Sequence, residues 1–176
     1  MLDTKFLPAV SEYRFLINRD YPKKGALKLV ADHHRLSGSQ RTILFRGVLS
    51  DKETAIRKKK TVSKIQQQPI LIDTCNVLST LLNYHLGMKL FIADDGFLRD
   101  DGENYPKTSV PSLMERQLRF LKDFLSENNN QCKFFIDSVF EKKAKLRDSI
   151  KRLWKPSLPL IIIQKSADRS LLNETR

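Results

Sequence analysis

An α/β protein with a three-layer parallel sheet and an N-terminal helical region is the fold class this sequence predicts. Three observations carry it. From residue 68 onward, short apolar runs alternate with helical patterns, the order expected of a parallel sheet covered on both faces. Those apolar runs lack polar alternation, as doubly buried strands do. Residues 1–64 instead show helical periodicity broken by proline and glycine.

The N-terminal region is read first. Ser11 is expected to cap a helix through Glu12, Tyr13, Phe15 and Leu16, which Pro22 ends or restarts. A second helix is expected from Lys23 to about His33, with Leu27, Val30 and Ala31 on its apolar face. Leu36-Ser37-Gly38 breaks it, and Ser37 or Ser39 starts a third helix through Ile43, Leu44 and Phe45. Gly47 and Ser50 close that segment. Two short helices across a glycine-containing break fit either a helical hairpin or a DNA-reading helix-turn-helix. The run Arg57-Lys58-Lys59-Lys60, with Lys64, is the densest basic stretch. It reads as a solvated linker or helix face, or as a phosphate-contacting patch.

The second region, 65–176, has the strand–helix rhythm. Pro69 to Asp73 is the first strand, followed by a helix through Val77, Leu78, Leu81, Leu82 and Leu86 that Gly87 ends. Lys89 to Ala93 is the expected second strand, running into Asp94-Asp95-Gly96. Residues 94–109 read as a long polar connection, either a plain surface loop or a substrate-gripping lid. In it Phe97 and Tyr105 are candidates for base stacking, Arg99 for phosphate contact, and Asp100, Asp101 and Glu103 for outer metal contacts. Helix Val110–Leu125, strand Cys132–Ile136 ending at Asp137, a basic helix over 141–153, and strand Leu158–Ile163 with Asp168 beyond it complete the chain.

Charge and cysteine count narrow the function. The 176 residues carry a net charge of +12, a surface that attracts polyanions. Residues 1–64 hold 15 basic against 6 acidic side chains, so most of the excess lies there. Two cysteines and three histidines without a CxxC pair exclude a disulfide framework and speak against structural zinc. No apolar run reaches the roughly 20 residues a membrane span needs. A cytoplasmic protein without a membrane partner is expected. GxGxxG, GxxxxGK[ST] and GxSxG are all absent, which removes the usual nucleotide-loop and nucleophile-elbow chemistries. Cys75 sits near a helix start but far from any histidine that faces it, so it reads as a small filler.

The strongest pattern is acidic. Ligands of open α/β sheets bind at the carboxyl ends of the strands, and here each strand leads into an acid: Asp73, Asp94 with Asp95, Asp137, and Asp168. Each one alone is equally a helix cap. Converging carboxylates repel unless a hard cation neutralises them, and Mg²⁺ or Mn²⁺ prefers such oxygen ligands. A catalytic set of Asp73, Asp94, Asp95, Asp137 and Asp168 is therefore expected, with Asp73, Asp94, Asp95 and Asp168 on the metal. Asn76 would orient Asp73, and Ser166 and Arg169 stand near Asp168. Basic surface would hold the phosphate backbone through Arg57, Lys58, Lys59, Lys60, Lys64 and Arg99. The implied reaction is phosphodiester hydrolysis.

Leu71-Ile72-Asp73-Thr74-Cys75-Asn76-Val77-Leu78 resembles the first strand of PIN-like and NYN-type ribonuclease domains, where Asp-x-x-Asn opens the active site. Phe91 to Asp100, with its Asp-Asp-Gly-Phe-Leu-Arg-Asp string, resembles an uncharacterised, mostly archaeal and bacterial family with a PIN-like core and a helical N-terminal region like Arg14 to Gly47. The resemblance implies a metal-dependent ribonuclease, with RNA rather than DNA as partner and Asp73 as first acid. The sequence departs from the pattern in having no acid between Asn76 and Gly87, Glu115 being the nearest helical substitute. A nucleic-acid-binding protein of the same fold without catalysis is the alternative. Acids paired with arginines would favour it.

Overall fold

In a computed structural model, the structure describes residues 4–62, 69–101, 111–127 and 131–165, with side chains of 111–113 excepted. The chain divides into two compact units, Met1–Val62 with Asn83–Tyr105, and Ser63–Leu82 with Pro106–Arg176. Each is described by itself. Residues 90–100, grouped by sequence rhythm with the second region, pack instead with the N-terminal helices of the first unit.

The first unit holds α1 (Phe6–Ile17), α2 (Lys23–His33), α3 (Gly38–Gly47) and α4 (Asp51–Lys60). Helix α1 begins five residues before Ser11, whose hydroxyl donates back to the Leu7 carbonyl at 3.3 Å instead of capping. The early start places Phe6, Ala9, Tyr13 and Ile17 at helical spacing on one buried stripe. They pack with Ala26, Val30 and Ala31 of α2 and Leu44 of α3 in one core. Ser37 caps α3 in a full capping box with Gln40. Ser50 does not close a segment but caps α4, accepting from the Glu53 N–H at 3.2 Å. The basic run is thus the last turn of a helix, where cations offset the dipole.

The expected second strand is corrected here. Leu90–Ile92 (β2) is not a member of the parallel sheet; it pairs antiparallel with Leu98–Asp100 (β3), Phe91 opposite Arg99. Gly96, at φ 86°, makes the tight reversal possible, and the turn closes through Gly96 N–H to Ala93 O and Ala93 N–H to Phe97 O. Residues 94–101 of the expected 94–109 connection are therefore the turn and second strand of a hairpin, while 102–109 lie outside the described residues.

The second unit carries the parallel sheet, in the order β1 (Ile70–Asp73), β4 (Cys132–Asp137), β5 (Leu160–Gln164). Helix α5 (Thr74–His85) follows β1, α6 (Pro111–Glu127) precedes β4, and α7 (Lys143–Leu153) links β4 to β5. Three strands, rather than four, are paired in parallel among the described residues. Their short apolar runs form the core: Ile72, Phe134 and Ile136 pack with Leu78 of α5, Leu118, Leu121 and Leu125 of α6, and Leu146 and Ile150 of α7. Phe134 and Phe135, on opposite faces of β4, are both fully buried. The fold is thus mixed α/β, with seven helices and a small parallel sheet among the described residues.

Candidate functional site

The carboxyl edge of the parallel sheet holds two of the expected acids. Asp73 ends β1 opposite Phe135 in register, and Asp137 ends β4 opposite Gln164. Residues paired across strands share a face, as do residues two apart on one strand. Asp73, Asp137 and Gln164 therefore point to the same side of the sheet at its lip. Asn76, on the first turn of α5, donates to both carboxylate oxygens of Asp73, from its backbone N–H at 3.2 Å and from Nδ2 at 2.8 Å. This is a cap and a clamp at once: it satisfies an open helix N–H and fixes the carboxylate.

Cys75 reports on the same lip. Burial pushes its thiol up, a backbone hydrogen bond at Asp137 works against this, and the charges of Asp73 and Asp137 push it further up. Both carboxylates thus act electrostatically on one thiol, and that thiol stays protonated at neutral pH, which suits neither a nucleophile nor a metal-ligating thiolate. Cys132 is an inert buried filler, its pKa raised to about 11 chiefly by burial.

Asp94 and Asp95 take a different place, in the first unit on the β2–β3 turn. Arg14 of α1 grips both oxygens of Asp94, at 2.9 and 2.8 Å, and Leu49 N–H donates to Oδ2 at 3.0 Å. The Asp95 side chain is fully buried and accepts from Arg99 at 2.6 Å, Arg57 at 3.0 Å and Phe97 N–H at 3.2 Å. Burial pushes the Asp95 carboxyl up, but the Phe97 N–H and the two guanidiniums outweigh it and hold it below the usual carboxylate range. Asp100 pairs with Arg46 at 2.8 Å, and Asp101 accepts from the Ser39 hydroxyl at 2.7 Å. The hairpin is pinned to the helices by its acids. Arg57 and Arg99, expected on phosphate, are spent on Asp95, as Glu115 is on Arg119 and Arg152.

Lys58, Lys59 and Lys60 stand exposed on the last turn of α4. Lys64, Asp168, Ser166, Arg169, Tyr105 and Glu103 lie outside the described residues. Reasoning from sequence missed Gln164 at the lip and the architectural arginines Arg14 and Arg46. For Gln164 the signal was available, since it follows the last apolar residue of a parallel strand.

The lip fits a hard cation in chemistry. Its two carboxylates are oxygen donors on one face, one held in orientation by Asn76, and Mg²⁺ is commonly held by one or two carboxylates with the remainder left to water and phosphate.

The class so defined is a mixed α/β protein with a basic helical unit and a carboxylate-bearing sheet lip. The chain belongs to the family described as a domain of unknown function (DUF5616), which matches residues 62–176. Residues 5–60 match a second family, described as a protein of unknown function (DUF434). An uncharacterized protein of Methanocaldococcus jannaschii, MJ0935, is 31% identical over 149 residues, covering 84% of this chain and 72% of that one. No solved structure matches the chain. Among the described residues, no helix is long and apolar enough to cross a membrane.

Proposed function

We propose that the protein is a Mg²⁺- or Mn²⁺-dependent phosphodiesterase acting on nucleic acid, with a PIN-like arrangement in its second unit and Asp73 and Asp137 as the metal-holding acids. The observation that carries it is the shared face of these two carboxylates at the lip of a parallel sheet, where open α/β sheets bind ligands. The cation, when bound, would polarise a phosphate oxygen and lower the pKa of a bound water. The chain's own residues do the rest. Asn76 holds Asp73 in one orientation, and Asp137 supplies the second carboxylate. The +12 surface, with Lys58, Lys59 and Lys60 exposed, draws in the polyanion. RNA as substrate follows from the resemblance of the first strand to PIN-like ribonucleases. Asp94 and Asp95 are withdrawn from the catalytic set because arginines already neutralise them.

Those same arginine pairs favour a second reading, binding without hydrolysis. One experiment separates the two: cleavage of end-labelled single-stranded RNA with Mn²⁺, against EDTA, Asp73→Asn and Asp137→Asn. Hydrolysis abolished by all three controls supports the enzyme. Retention of RNA without any cleavage supports binding alone, and cleavage indifferent to the controls rejects the site.

A further inference from the structure

Away from the lip and the hairpin, α1 and α2 bring three metal-ligating groups together. Glu12, His33 and His34 each offer one ligand atom, and these atoms all lie within 4.8 Å of one another. His34 Nε2 is 2.9 Å from Glu12 Oε2. The two imidazoles stand edge to face with centroids 4.8 Å apart.

Adjacent residues on a regular helix point about 100° apart and do not serve one centre. The ligand atoms of these two nevertheless come within 4.8 Å of each other and of Glu12, at the C-terminal end of α2, where His34 is the C-cap. A Glu12–His34 contact alone would be an ordinary ion pair between helices; His33 is the third donor that such a pair does not need. Glu12 and His33 also border an open cavity of about 560 Å³, walled by Phe15, Leu16, Leu29 and Val30.

We propose that Glu12, His33 and His34 bind a divalent transition-metal ion, Zn²⁺ foremost, in a three-ligand site whose remaining positions are left to water or a small ligand in the adjoining cavity. Two imidazole nitrogens and one carboxylate oxygen suit Zn²⁺, whose open sites use three protein ligands of this kind. The same set suits Mg²⁺ poorly, because that ion prefers oxygen alone. The site is therefore chemically distinct from the Asp73–Asp137 lip. Bound metal ties Glu12 of α1 to the end of α2, so it stabilises the helical unit.

The test is calorimetric titration of the chelator-treated full chain with ZnCl₂, for wild type, Glu12→Gln, His33→Gln, His34→Gln and Asp73→Asn. Glu12 and His33 are exposed and His34 is half-buried, and circular dichroism checks that each variant is folded. One saturable site is expected in wild type and in Asp73→Asn. Each of the other three variants should lose more than the roughly 10–100-fold that removal of a mere outer partner costs. Absence of saturable binding overturns the proposal. So does a site untouched by any one of the three substitutions, or one abolished by Asp73→Asn.

Discussion

Replacing Asp95 with asparagine separates an architectural acid from a catalytic one by the sign of a stability change. The side chain is fully buried, while Arg99 is 24% and Arg57 45% exposed. Asparagine keeps the shape and can still accept from Phe97 N–H, but it loses the charge both guanidiniums face. A hydrogen bond to a charged partner contributes about 1.5–3 kcal/mol, and the sheltered Arg99 contact belongs there. The half-exposed Arg57 contact adds only about 0–1 kcal/mol. Among the described residues Arg99 Nε has no hydrogen-bond partner, so none of them takes up the donor that the substitution weakens. Asp95→Asn is therefore expected to destabilise by about 2–3 kcal/mol, read by urea unfolding at neutral pH. The folded carboxyl titrates below its ordinary value of 3.8. Its contribution is thus fully present above that value and lost as pH falls through the folded one. The gap between wild type and variant should close on acidification. Were Asp95 one of a set of mutually repelling metal ligands, removing its charge would leave the metal-free protein equally or more stable. Unchanged or raised stability would refute the clamp.

Other consequences are equally direct. A Cβ at Gly47 would sit 2.8 Å from Phe91 Cε2 and 3.3 Å from Cδ2; overpacking outweighs the helix-propensity gain, and Gly47→Ala should cost about 1–2 kcal/mol in the same unfolding assay. Asp73→Asn or Asp137→Asn removes a charge that raises the Cys75 pKa, so Cys75 should react faster with a thiol reagent at mildly alkaline pH, while an unchanged rate would deny the shared lip. Changing Lys58, Lys59 and Lys60 together to glutamine should weaken RNA binding and flatten its salt slope by about 2, at roughly 0.7 per phosphate contact on a single strand. An unaltered slope would place the nucleic-acid surface elsewhere.

Legibility followed the range of the determining contacts. Helix α2 runs from Lys23 to His33 as its periodicity and flanking Pro22 foretell, and the strands of the parallel sheet are short apolar runs visible by eye. Helix α4 was foreseen only as one option for its basic end, a helix face, although Ser50 and Glu53 form an S-x-x-E start signal; its sparse apolar content hid the period. The hairpin is the instructive miss. An apolar run followed by acids describes a parallel strand reaching its lip and an antiparallel strand reaching its turn equally well. The Asp95-Gly96 pair between apolar residues is a hairpin signal that the expectation of a parallel strand leading into a polar connection left unused. That Asp94 meets Arg14, 80 residues earlier, is a tertiary fact with no local trace. At the lip, Asp73 and Asn76 interact within one helical turn, so their pairing was readable. The company of Asp137 depends on strand register and was only guessed.

The central claim, that Asp73 and Asp137 jointly hold a hard cation, is tested most directly by following free Mn²⁺ with electron paramagnetic resonance during titration into the full chain. The His34→Gln background silences the histidine cluster. Saturable uptake of one Mn²⁺ that disappears in both Asp73→Asn and Asp137→Asn, yet persists in the Lys58–Lys60 glutamine variant, is the expected result. Uptake equal in all of these proteins, or none in the parent, would contradict it.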